Sequence, residues 1–120
     1  MEALFVDRMK LRLYDEQASL QAEAARLRAD LDIDEEQSEH AGLGNHMADD
    51  ATDLFEQEKN LALLENTSTL LFQVESALRR VDQGTYGACD CCGALIDRAR
   101  LETRPYASLC VTCKTRQEKG

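Results

Sequence analysis

The 120-residue chain carries 14 Lys and Arg against 23 Asp and Glu, a formal charge of -9, and only 5% of its residues are aromatic. That length excludes large multi-lobed enzyme folds and allows one ordinary domain or two small ones. Few aromatics beside 31% charged residues argue against a thick globular core and for helices lying side by side. The excess of acid repels phosphate, which sets nucleic acid low as a direct ligand, because duplex binding depends on Lys and Arg neutralising phosphates.

No run approaches the roughly 18 apolar residues of a membrane span. The opening MEALFVDRMK lacks the basic-then-apolar order of a secretory leader. The expectation is a cytoplasmic protein with no membrane contact. Five Cys is an odd count, and a reducing compartment keeps thiols free, so a disulfide framework is not expected and metal becomes the leading explanation.

In chain order, Leu13, Leu20 and Leu27 recur every seventh residue with Ala24 and Leu31 beside them, which predicts a first helix over about 4-34. Gly42, Gly44 and Asn45 then break the pattern and permit a reversal. A second stripe of Leu54, Leu61, Leu64, Ser68, Leu71 and Leu78 has the spacing of a coiled-coil seam and predicts a second helix over about 48-83. Leu63, Leu70, Val74, Ala77 and Val81 widen its lower half, so the base of this helix is expected to pack on a further element. The predicted fold is mainly α: a long antiparallel helical hairpin over 1-83, then a small four-cysteine zinc module over 84-120. Residues 1-83 hold 8 basic and 19 acidic residues, net -11, and residues 84-120 hold 6 and 4, net +2.

All five Cys fall in the second segment. Cys89-Asp-Cys-Cys92 is separated by seventeen residues from Cys110-Val-Thr-Cys113, the spacing of a four-cysteine zinc site. Two residues between ligands let one tight turn aim both thiolates at the same ion, and Gly93 gives the first turn its backbone freedom. Four sulfurs leave no position for water, so one structural Zn2+ is expected, with Cys89, Cys92, Cys110 and Cys113 as ligands. A piece this short rarely closes a core without such a staple, and structural zinc contributes an apparent ~10 to 16 kcal/mol in finger peptides. Cys91 is left over, either incidental or a redox thiol. His40 and His46 lack ligand spacing.

An acidic tip is expected around 35-53, with Glu35, Glu36, Glu39, Asp49, Asp50 and Asp53. Aspartates at a helix start cap free N-H groups and oppose the dipole. Carboxylates at the end of a thin rod also suit a metal ion or a basic wall inside a channel. The residues alone do not choose between these roles. No phosphate-cradling glycine loop, no nucleophile with a base and no open metal position is present, so no catalytic residue is predicted and an enzyme is the weakest class.

Tyr86-Gly87, Cys89-x-x-Cys92-Gly93, Ile96, Arg100-Leu101, Pro105 and Cys110-x-x-Cys113 together resemble the TraR/DksA zinc-finger family. The resemblance implies a bacterial transcription regulator that binds RNA polymerase through its secondary channel and modulates promoter complexes, in some members with guanosine tetraphosphate, without reading DNA. It assigns the polymerase-facing tip to Asp49, Asp50, Ala51 and Asp53. The family's tip motif is D-x-x-D-x-A, and this chain has His46-x-x-Asp49-x-Ala51, with His46 where the first acid stands. Only seven residues follow Cys113, which leaves little room for the C-terminal helix of longer members. Two alternatives stand beside this reading. One is a nucleic-acid-binding zinc module using Arg98, Arg100, Arg104, Lys114 and Arg116; the other is a thiol switch that releases zinc through Cys91. Leu63 and Leu70 leave a dimer open.

Overall fold

The computed structural model describes residues 1-31 and 51-119, with the side chains of 51-53 outside that description. Four helices are present among them: α1 (Ala3–Asp30), α2 (Ala51–Gln83), α3 (Arg98–Thr103) and α4 (Val111–Lys119). A single antiparallel bridge, Ala88 to Leu95, is the only extended pairing among the described residues. The fold is a helical hairpin with a small zinc module. Of the expected acidic tip, Glu35, Glu36, Glu39, Asp49 and Asp50, together with His46, lie outside the described residues. Ala51 and Asp53 open α2 as backbone.

Neither long helix contains Gly or Pro, so nothing interrupts their hydrogen-bond ladders. α2 stops where Gly84 adopts φ +77°. There the Thr85 amide donates to the Arg80 carbonyl at 2.9 Å, closing the last turn as a left-handed C-terminal cap. α4 begins inside the second cysteine pair, at Val111, and carries Cys113 on its first turn.

Along α1, Phe5, Met9, Leu13, Gln17, Leu20, Ala24 and Leu27, with Leu31 just beyond its end, are buried or half-buried in steps of four and three. This is the expected stripe with Phe5, Met9 and Gln17 added. The stripe of α2 departs from expectation. Its covered positions include Asn60, Leu64, Thr67, Leu71, Val74, Leu78 and Val81, an unbroken alternation of four and three, joined from position 70 on by Leu70, Glu75, Ser76, Ala77 and Arg80. Leu54, Leu61 and Ser68 are exposed, although sequence spacing places them in the seam. The seam instead takes Asn60 and the buried Thr67, because helical register follows the strict repeat of positions rather than the most apolar residue near each one. Leu63 is likewise exposed, while Val74 and Ala77 are fully buried.

The chain forms two compact units, Met1–Ala18 with Phe72–Gly120, and Ser19–Leu71. The second is built from the facing segments of α1 and α2, with Ala24, Leu27 and Thr67 buried. The first joins the start of α1 and the end of α2 to the cysteine module. Its core is Phe5, Met9 and Leu13 from α1, Val74, Ala77 and Leu78 from α2, and Tyr86, Ile96, Leu101 and Ala107 from the module. The cysteine segment therefore does not close a core alone, as its few apolar residues foretell; the helix ends supply half of it.

Candidate metal centre

The first cysteine pair sits on a tight turn. The Gly93 amide donates to the Cys89 carbonyl at 2.9 Å, and the Cys89 amide donates to Ala94 at 2.8 Å. Gly93 takes φ +78°, a conformation open to glycine and strained for other residues. The second pair sits where α4 begins, and the Lys114 amide donates to the Cys110 carbonyl at 2.9 Å. The two turns are tied by the Asp90 amide donating to the Ser108 carbonyl at 2.8 Å.

This backbone brings the sulfurs of Cys89, Cys92, Cys110 and Cys113 within 4.8 Å of one another. Four sulfurs about 2.3 Å from one ion lie roughly 3.8 Å apart at tetrahedral angles. The Cys92 and Cys110 sulfurs are 3.8 Å apart. The donor set therefore fits a zinc ion, whose role with four sulfur ligands is structural. The thiols are polarised against one another. The backbone amides of Cys110, Cys92 and Cys91 pull the Cys89 thiol down to about 6, while hydrogen bonding to Cys110 and burial push Cys113 upward. Sulfurs this crowded do not all ionise without a cation, and a divalent metal supplies the charge that lets them do so. Cys91 is exposed and stands outside the cluster.

Around the cluster, the buried Tyr86 hydroxyl donates to the Pro105 carbonyl at 2.7 Å, and burial raises its pKa to about 12 against the opposing pull of Arg80 and Arg12. Arg100 Nε donates to the Leu109 carbonyl at 2.9 Å, bracing the approach to the second cysteine pair. The start of α1 clamps the module: the Arg98 and Arg8 guanidinium groups lie 4.7 and 5.3 Å from the Phe5 ring centre, and Arg98 pairs with Glu2 at 3.0 Å. No periodicity marks Phe5 for this role, because its partners come from the far end of the chain. Of the basic residues read as a possible nucleic-acid face, Arg100, Arg104 and Lys114 line a cleft of about 230 Å³ with Tyr106 and Gln117, whereas Arg98 is occupied by Glu2 and Phe5.

No described helix is long and apolar enough to cross a membrane. The prokaryotic dksA/traR C4-type zinc finger family matches residues 84-119. The chain is 41% identical over 71 residues to the RNA polymerase-binding transcription factor DksA of Haemophilus influenzae, covering 59% of this chain and 49% of that protein. It is 37% identical over 83 residues to the protein of the same name from Escherichia coli K12, covering 61% and 55%. The chain thus spans about half the length of the curated relatives it matches. Its fold also resembles the solved structure of transcription factor DksA2 from Pseudomonas aeruginosa, with a TM-score of 0.77, 30% identity, and 99% and 87% of the two chains covered. A four-sulfur centre seated on a helical hairpin, and a likeness that extends over nearly the whole of this chain, make it a member of the DksA/TraR family.

Proposed function

We propose that this chain is a transcription regulator that binds RNA polymerase through its secondary channel and modulates promoter complexes without reading DNA sequence. The hairpin, residues 1-83, is the part that enters, with Asp49, Asp50, Ala51 and Asp53 toward the polymerase; the zinc module, residues 84-120, holds its base. The observation that carries this reading is the likeness to DksA2 over 99% of the chain, helped by relatives whose name states polymerase binding. The net charge of -9 agrees with a protein partner rather than a phosphate backbone. Guanosine tetraphosphate, where it acts, meets the Arg100, Arg104 and Lys114 cleft, whose guanidinium and ammonium groups suit phosphates.

The test is a pull-down of core RNA polymerase with the wild type and an Asp49→Asn/Asp50→Asn double variant, followed by promoter-complex lifetimes. Both proteins are expected to be retained, and the variant to lose most of its effect on lifetime. Failure of the wild type to bind polymerase overturns the reading. The nucleic-acid alternative is favoured instead by retention of naked DNA that falls steeply with salt.

A further inference from the structure

The outer face at the start of α1 is apolar where an ordinary solvated helix face is polar. Leu4, Leu11 and Tyr14 are 82%, 68% and 47% exposed, and Ala18 is exposed with them. At about 100° per residue, Leu4, Leu11 and Ala18 lie about 140°, 160° and 180° round the helix from the buried Met9, so they point away from the core. All belong to the compact unit that contains the cysteine module. A single exposed leucine is ordinary; a row at heptad spacing is shaped for contact.

The groups beside this row choose the occupant. Asp7 and Tyr14 flank Leu11 on one side, Arg8 and Asp15 on the other, and all four are exposed. A second copy laid antiparallel, with the two-fold axis at Leu11, sets Leu11 against its own counterpart and Leu4 against Ala18. On one flank Arg8 then stands level with Asp15 of the second copy, to within about 1.5 Å along the axis. Arg8 keeps 59% of its side chain exposed beside Glu102, and its guanidinium has donors to spare. On the other flank Asp7 stands equally level with Tyr14, whose hydroxyl can donate to the carboxylate. The symmetry forms each pair twice, as a two-fold contact requires. A parallel arrangement instead sets Asp15 against Asp15 and Arg8 against Arg8, which is unfavourable. Other occupants fit less well. Nucleic acid meets Asp7 and Asp15 with phosphates. A helix lying on a membrane carries Lys and Arg around its apolar side, whereas Asp7 and Asp15 outnumber Arg8 here.

We infer that the Leu4, Leu11 and Ala18 face of α1 is a self-association surface, on which two copies of the free chain lie antiparallel about Leu11. The row is about 21 Å long at 1.5 Å per residue, a small contact, so the pair forms and separates with concentration. The inference does not depend on the polymerase reading.

The full-length zinc-loaded chain is followed by analytical ultracentrifugation from about 1 to 100 μM, as wild type, Leu11→Glu, Asp15→Arg and Arg8→Glu/Asp15→Arg. Wild type is expected to pass from one copy to two across that range. Leu11→Glu and Asp15→Arg are expected to weaken association at least about tenfold. The double variant, with its charges exchanged, is expected to regain most of what Asp15→Arg loses. The altered side chains are exposed, and circular dichroism checks that the helices remain. A photo-crosslinking residue at position 11 is expected to join two copies, and one at the exposed Leu61 of α2 is not; this arm holds whether or not any variant folds. Wild type that stays a single copy over the whole range overturns the inference. Association that Leu11→Glu and Asp15→Arg leave within about twofold overturns this face, and a double variant no stronger than Asp15→Arg overturns the antiparallel register. Crosslinking from position 11 to core RNA polymerase, with none between copies, overturns the inference in favour of that partner.

Discussion

Individual residues in this protein do sharply different work at short range. Gly84 holds φ +77° with open space where a Cβ would stand, so the cost of Gly84→Ala is conformational, about 1 to 2 kcal/mol, and thermal unfolding should register it. Among the sulfurs, Cys110→Ser removes one corner of the tetrahedron and should abolish zinc retention and melt the module. A folded, zinc-loaded Cys110→Ser protein contradicts the four-sulfur site. Cys91→Ser should leave zinc content unchanged and stability within about 0.5 kcal/mol, as for other exposed substitutions. Tyr86 is predicted to leave a pH signature. Its folded pKa lies near 12, above the ordinary value of about 10, so the folded state keeps a proton that the unfolded chain releases. That stabilisation is complete below pH 10 and is lost as pH rises toward 12. Tyr86→Phe lacks this loss and also forfeits the bond to Pro105, so the stability gap between the two proteins should narrow over that window.

Single helices carry a different lesson, since α1 and α2 obey the same four-three alternation but fill it with different chemistry. Leu27 is buried and Leu61 is exposed, although each is a leucine in a heptad of leucines. Leu27→Ala should therefore cost about 2 to 5 kcal/mol, while Leu61→Ala stays within about 0.5 kcal/mol; equal costs would return Leu61 to the seam. The helices themselves were legible in sequence because long stretches free of Gly and Pro carry a strong periodic signal. The register of α1 was legible because leucines fill most of its seam. That of α2 was not, because Asn60 and Thr67 occupy seam positions next to the more apolar Leu61 and the equally small Ser68, and hydropathy then points one residue away. The cysteine spacing made the cluster readable, since ligand pairs two residues apart are set by local geometry. The Phe5 clamp and the Tyr86 to Pro105 bond join segments far apart in the chain and leave no local trace.

At the scale of the whole molecule, composition divides the chain near Gly84, whereas packing unites Met1–Ala18 and Phe72–Gly120. The start of α1, the end of α2 and the module share one core, so metal and hairpin are energetically linked. Chelating zinc is predicted to expose the amides of 3-18 and 72-83 to hydrogen exchange along with 84-119. Protection that persists over 3-18 after chelation would mean that the helix ends hold their core without the metal. The proposed role treats the zinc-organised base and the helical hairpin as one tool applied to a larger protein. The most direct measurement of that claim is native mass spectrometry of the chain mixed with core RNA polymerase. A one-to-one complex that retains a single zinc ion is predicted, and zinc-loaded chain standing apart from polymerase at micromolar concentration would contradict the account.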